Sequence, residues 1–204
     1  MAKIGLIAMS AKPYHGGHDG LIRLASEECD AVYLYVSIAD RARSGEVPIL
    51  GKDMATLWND IIEPSLPTNV VVTYGGSPVG NIWALLGKAN LANSPDEFLI
   101  YGDPIDLAQN FTKELLSKYS GNLFASGQIK LRAVERSSTV DVSGTQMRQH
   151  LEKGDKAAFV KNLPSTIDVD RVWDILHSTA KNPPKVKTTA GSVRKQAAKR
   201  PSTE

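Results

Sequence analysis

Lys3-Ile4-Gly5-Leu6-Ile7-Ala8-Met9, then Ser10-Ala11-Lys12-Pro13-Tyr14, then His15-Gly16-Gly17-His18, is the stretch that decides the fold. The first seven residues are a short apolar run, as a fully buried strand requires. The next five form a turn around a proline. Beyond the second histidine, Leu21, Ile22, Leu24 and Ala25 recur at helical spacing. A strand therefore passes into a helix with two imidazoles at the junction. In an open parallel sheet, ligands bind at such a junction, outside the carboxyl end of a strand. The helix start adds unpaired N–H groups and the positive end of a dipole, which favour an anion.

A second stretch reads the same way. Val140-Asp141-Val142 leads into Ser143-Gly144-Thr145-Gln146-Met147-Arg148. Ser143 suits a helix N-cap, and Gly144 lets backbone come close to a ligand. Arg148 follows Thr145 by three residues, so both can share one side of the first turn. Hydroxyl, N–H groups and a guanidinium fork make a second anion corner. The plain alternative is a capped helix with a solvated arginine.

Together the two stretches resemble the HxGH nucleotidylyltransferase superfamily, which includes nicotinamide-mononucleotide and phosphopantetheine adenylyltransferases and the cytidylyltransferases. Pro13, His15, Gly17 and His18 match its first motif, P-x-H-x-G-H. Val142, Ser143, Gly144, Thr145 and Arg148 match its late I-S-G/S-T-x-x-R helix start. The resemblance covers residues 1 to about 153, and its wording is nearest to phage-encoded cytidylyltransferase-like proteins. Met9 and Ala11 depart from the Gly and Phe that many members carry six and four positions before the first histidine.

Between the motifs, strands and helices alternate. Strands are expected over Ala31–Ile38, Asn69–Tyr74, Glu97–Tyr101 and Ile129–Val134, and helices over Asp53–Ile62, Val79–Leu91 and Leu107–Tyr119. The Ser143 helix and two further helices, Lys156–Lys161 and Asp168–Thr179, complete residues 1–179. Such repeats predict an α/β fold: a Rossmann-like, doubly wound parallel sheet of about five strands with C-terminal helices. Trp58, Trp83 and Trp173 lie in apolar helical patterns and read as core.

Polar residues at strand ends extend the candidate site. Arg41, Arg43 and Lys52 follow the second strand and suit a phosphorylated acceptor, or simply a solvated loop. Gly75-Gly76-Ser77-Pro78 opens the next helix. Asp103 suits either a ribose or magnesium-bound water, or, with Asp106, a helix cap. Arg136-Ser137-Ser138-Thr139 is expected beside the nucleotide.

The chain has 204 residues, a net charge of +2 and one cysteine, Cys29, which reads as packing. No signal peptide is expected from the opening residues, and no apolar run approaches the roughly 18 residues of a membrane helix. A reducing cytoplasm is expected, the host's if the chain is phage-encoded. From Ala180 to Glu204, seven basic residues face one acidic residue, a net of +6 that leaves −4 for the rest. A tail rich in Lys, Ala, Ser, Thr and Pro cannot bury enough apolar area to order itself. It suits either an arm for nucleic acid or another anionic partner, or a solubilising tail.

The resemblance implies transfer of a nucleotidyl group from ATP or CTP to a small phosphorylated acceptor, with release of pyrophosphate. It implies catalytic roles for His15, His18, Lys12 and Arg148, and nucleotide contacts from Ser10, Gly17, Ser143, Gly144 and Thr145. It implies Mg2+ carried on the NTP phosphates, with no metal ligands of the protein's own. A homo-oligomer is left open. The alternative is a non-catalytic nucleotide-binding or virion-associated protein that keeps the pocket.

Overall fold

The computed structural model describes residues 1–135 and 143–185. Its elements run β1 (Lys3–Met9), α1 (Gly16–Glu28), β2 (Ala31–Val36), α2 (Gly51–Leu57), β3 (Val70–Tyr74), α3 (Pro78–Leu91), β4 (Glu97–Gly102), α4 (Pro104–Asn110), α5 (Lys113–Ala125), β5 (Ile129–Ala133), α6 (Gly144–Lys153), α7 (Lys156–Lys161) and α8 (Val169–Lys181). The strands pair in parallel in the order β3-β2-β1-β4-β5. This is the Rossmann-like α/β sheet that the alternation of apolar strands and helices predicts.

Burial follows strand position. β1 and β4 lie inside the sheet and are covered on both faces, so their apolar runs are nearly unbroken. β3 and β5 are edges and leave Val71 and Leu131 exposed. Alternation along β1 feeds two cores. Ile7 and Met9 join a core with residues of α1, α6, α7 and α8, and Ile4 and Leu6 join one with residues of α3, α4 and α5. The C-terminal helices thereby fold back over the start of the chain. Cys29 is packed, with its sulfur 3.4 Å from the Tyr101 hydroxyl. Burial pushes its thiol pKa up.

Four local expectations change. The helix expected over 107–119 is two, α4 and α5, because Thr112 starts a new one by accepting from Leu115 N–H at 3.2 Å. The helix expected to end at Ile62 is α-helical only to Leu57 and continues as a π-turn over Trp58–Ile62. Trp58 and Trp173 are core, but Trp83 is half-buried and packs beside Phe111 and Tyr119. α8 reaches Lys181, two residues past the expected end.

Candidate functional site

The strand order reverses between β1 and β4, and a cavity of 580 Å³ opens at their carboxyl ends. The β1 loop and α1 contribute Ser10, His15, Gly17 and His18 to its wall. Across it stand Ser77 at the start of α3, and Asp103, Asp106 and Phe111 of the α4 segment.

The two histidines cap α1 themselves. His15 is the N-cap, and its Nδ1 accepts from Gly17 N–H at 3.1 Å. The His15 N–H in turn donates to His18 Nδ1 at 3.1 Å. This is a reciprocal capping box with imidazoles in the places usually taken by Ser and Glu. It brings the ring centroids to 3.8 Å. Each Nδ1 acts as an acceptor, so the neutral ring carries its proton on Nε2, which can donate to an oxyanion. A Cβ on Gly17 would lie 2.9 Å from His15 Cε1, so only glycine leaves that ring its place. Tyr14, 1% exposed, stacks on His18 at 5.8 Å and donates to Asp19 at 2.9 Å.

The late motif docks against the same loop. Ser143 caps α6 and forms a capping box with Gln146, both bonds at 3.2 Å. Arg148 is buried and turned inward. Its Nη1 donates to the Lys12 carbonyl at 2.7 Å, and its Nη2 to Thr145 Oγ1 at 3.2 Å. Gly144 is where backbone comes close, and what approaches it is protein. A Cβ there would lie 2.9 Å from Arg148 Nη1 and 3.3 Å from the Lys12 carbonyl oxygen. The α1 start is also tied to the C-terminal helices, since Gly16 N–H donates to the carbonyl of Asn162 at 2.8 Å.

Lys12 donates its ammonium to the Ser37 carbonyl at 2.7 Å. Burial lowers its pKa to about 8, against the raising effect of Asp40. Arg41 pairs with Glu46 and is half-buried, whereas Arg43 and Lys52 are exposed. Asp103 caps α4 by accepting from Asp106 N–H at 2.9 Å. The expected nucleotide contacts at 136–139 and the motif residue Val142 lie outside the described residues, as does the tail beyond Lys185. Neither Glu46 nor the capping duty of the histidines was foreseen from the sequence. A histidine three residues after another at a helix start is the signal for the second.

Among the described residues, no group of three or more His, Cys, Asp or Glu side chains is placed to hold a metal. No helix among them is long and apolar enough to cross a membrane.

No protein-family model and no curated protein matches the chain. Solved structures do. One is TmcAL of Thermotoga maritima bound with alpha-thio ATP, at 15% identity and a TM-score of 0.48, over 89% of this chain and 56% of that one. Another is a bifunctional NMN adenylyltransferase/ADP ribose pyrophosphatase from Francisella tularensis, at 13% identity and a TM-score of 0.54, over 90% of this chain and 51% of that one. The chain thus spans about half the length of these proteins. What the second likeness establishes is the fold, a five-stranded, all-parallel, Rossmann-like α/β sheet.

Proposed function

We propose that the protein is a nucleotidylyltransferase that moves a nucleotidyl group from ATP or CTP to a small phosphorylated acceptor and releases pyrophosphate. The observation that carries this reading is the His15–His18 pair. Both rings line a cavity at the strand-order reversal, and their Nδ1 atoms are held by backbone so that Nε2 is the donor.

An acceptor phosphate oxygen attacks the α-phosphorus of the NTP in line. A new P–O bond forms, and the bond from the α-phosphorus to the bridging oxygen breaks. Pyrophosphate leaves with that electron pair. The chemistry needs no covalent intermediate on the protein, so catalysis is positioning and neutralisation of charge. His15 and His18 donate to α- and β-phosphate oxygens as charge builds. Ser10 and Gly17 flank them. Ser143, Gly144 and Thr145 lie at the α6 start for the outer phosphates, and Arg148 braces that start against the β1 loop. Lys12 supplies positive charge between acceptor and nucleotide, and Arg41, Arg43 and Lys52 suit the acceptor's phosphate. Mg2+ enters as part of the NTP substrate and shields the phosphate oxygens. The pair Asp103 and Asp106 on the cavity wall suits an ion held mainly by phosphate and water.

The test is a screen of four NTPs against nicotinamide mononucleotide, phosphopantetheine and phosphocholine, read as pyrophosphate. Release that requires both an NTP and an acceptor is the expected result. Nucleotide binding with no release in any pairing would overturn the enzyme reading in favour of a non-catalytic nucleotide-binding protein.

A further inference from the structure

The stretch that carries the histidine pair also holds two buried side chains with polar ends that the proposed chemistry does not use, Tyr14 and Asp19. The Tyr14 hydroxyl donates to Asp19 Oδ1 at 2.9 Å. Asp19 Oδ2 accepts from Arg23 Nε at 2.9 Å, and Arg23 Nη2 donates to the Ser65 carbonyl, beyond α2, at 3.1 Å. Trp58 packs edge-on against the Tyr14 ring, with centroids 5.2 Å apart at 72°. Burial, then the charge of Asp19, pushes the Tyr14 pKa up, so the hydroxyl keeps its proton and remains the donor. Tyr14 is thus held at its hydroxyl and at its ring.

The Tyr14 ring lies within 19° of parallel to the His18 imidazole, with centroids 5.8 Å apart. The capping bond from the His15 N–H fixes His18 at Nδ1. That bond holds one point of the ring and does not set its plane, because the torsion that turns a histidine ring about its Cβ is broad. The neighbouring rings narrow it. His15 belongs to the same pair, whereas Tyr14 is anchored outside it, through Asp19 and Arg23. Packing alone would not select these side chains. A phenylalanine fills nearly the space of Tyr14 without a buried hydroxyl, and a buried carboxylate is costly unless paired. The helix dipole favours an acid in the first turn of α1, which accounts for Asp19 but not for the hydroxyl that meets it.

We propose that Tyr14 is a positioning residue for His18: anchored by Asp19, its ring sets the plane in which the imidazole presents Nε2 to the cavity. That this plane matters to turnover rests on the transferase reading.

The test pairs steady-state kinetics with proton NMR of the His18 ring, both on the full chain. Tyr14→Phe keeps the ring and removes the bond to Asp19. Asp19→Ala removes the same bond from the other end. Each should lower kcat about fivefold or more and leave KM for the NTP within about twofold, since a misaligned donor is missed chiefly in the transition state. In a His18→Ala background the further loss from either change should shrink to less than about twofold, because the residue that Tyr14 positions is gone. A merely structural role would lower activity equally in both backgrounds. The His18 ring protons feel the ring current of Tyr14. In Tyr14→Phe and Asp19→Ala their shifts should move toward those in Tyr14→Leu, which has no aromatic ring at that position. Equal losses in both backgrounds, unchanged kcat in either folded variant, or His18 shifts that stay at parent values overturn the proposal. Asp19→Ala decides the matter if Tyr14→Phe does not fold. If the parent releases no pyrophosphate in any pairing, the transferase reading falls, and the ring shifts alone decide whether Tyr14 holds His18.

Discussion

Arg148 Nη1 donates to the carbonyl of Lys12, 2.7 Å away in space and 136 residues earlier in the chain. One side chain thus fixes the α6 start to the loop that carries the histidine pair. Gly144 makes room for it.

Gly144→Ala tests this joint. The new Cβ would sit 2.9 Å from Arg148 Nη1 and 3.3 Å from the Lys12 oxygen. The guanidinium must leave Lys12, or the helix must shift. Overpacking of this kind costs about 1–3 kcal/mol, and NTP affinity should fall with it. Thermal melts and nucleotide titration check both. A variant as stable and as tight as the parent would show that the joint carries no weight.

His18 has a structural and a chemical duty, and substitutions can separate them. His18→Ala removes the acceptor for the His15 N–H and should cost about 1 kcal/mol of stability. It should also lower turnover by about 10²–10³-fold, the effect of one lost transition-state donor. His18→Gln can restore the capping bond, because glutamine is a usual partner at that helix position. It should melt like the parent and remain slow. Fast turnover in either variant removes His18 from the chemistry.

Lys12 sets an alkaline limit. Its pKa is lowered from 10.5 to about 8, chiefly by burial. The cationic form is therefore lost as pH rises through about 8, and kcat/KM should decline there. Lys12→Arg should move that decline upward, since a guanidinium keeps its proton. The sign for stability is opposite. The folded state holds this proton less tightly than the unfolded chain does, so the penalty is full below about pH 8 and fades toward 10.5. A rate profile with no limb near pH 8 would exclude Lys12 as the charged partner.

Removal of residues 186–204 should leave pyrophosphate release unchanged, because both motifs lie before them and α8 ends at Lys181. The segment holds five basic residues and one acidic residue. Any nucleic-acid affinity should go with it, and in the full chain should fall steeply with salt. A folded, truncated protein without turnover would place the tail in the reaction.

The strands were legible because their cause is local. An apolar run such as Ile4–Met9 reports burial on both faces, and each expected strand lies within two residues of its observed bounds. The helix break at Phe111–Thr112 was not legible, because the apolar spacing continues across it and only the Thr112 hydroxyl marks the new start. The histidine pair was found as a pattern, but its reciprocal caps depend on rotamers that spacing does not record. Arg148 read as a fork for an anion, or else as a solvated side chain. Its inward turn depends on a carbonyl 136 residues away, and no local signal carries that. Glu46 escaped notice because it pairs with two arginines far apart in the chain, Arg41 at 3.0 Å and Arg148 at 3.4 Å.

The bond from Gly16 N–H to the Asn162 carbonyl also orders events during synthesis. The sheet is complete when β5 has emerged, yet the first helix start still lacks its brace. α6 and α7 must be made before that corner closes. A growing chain can therefore hold a folded sheet well before it holds a finished pocket, and nucleotide capture should begin only once Asn162 has left the ribosome.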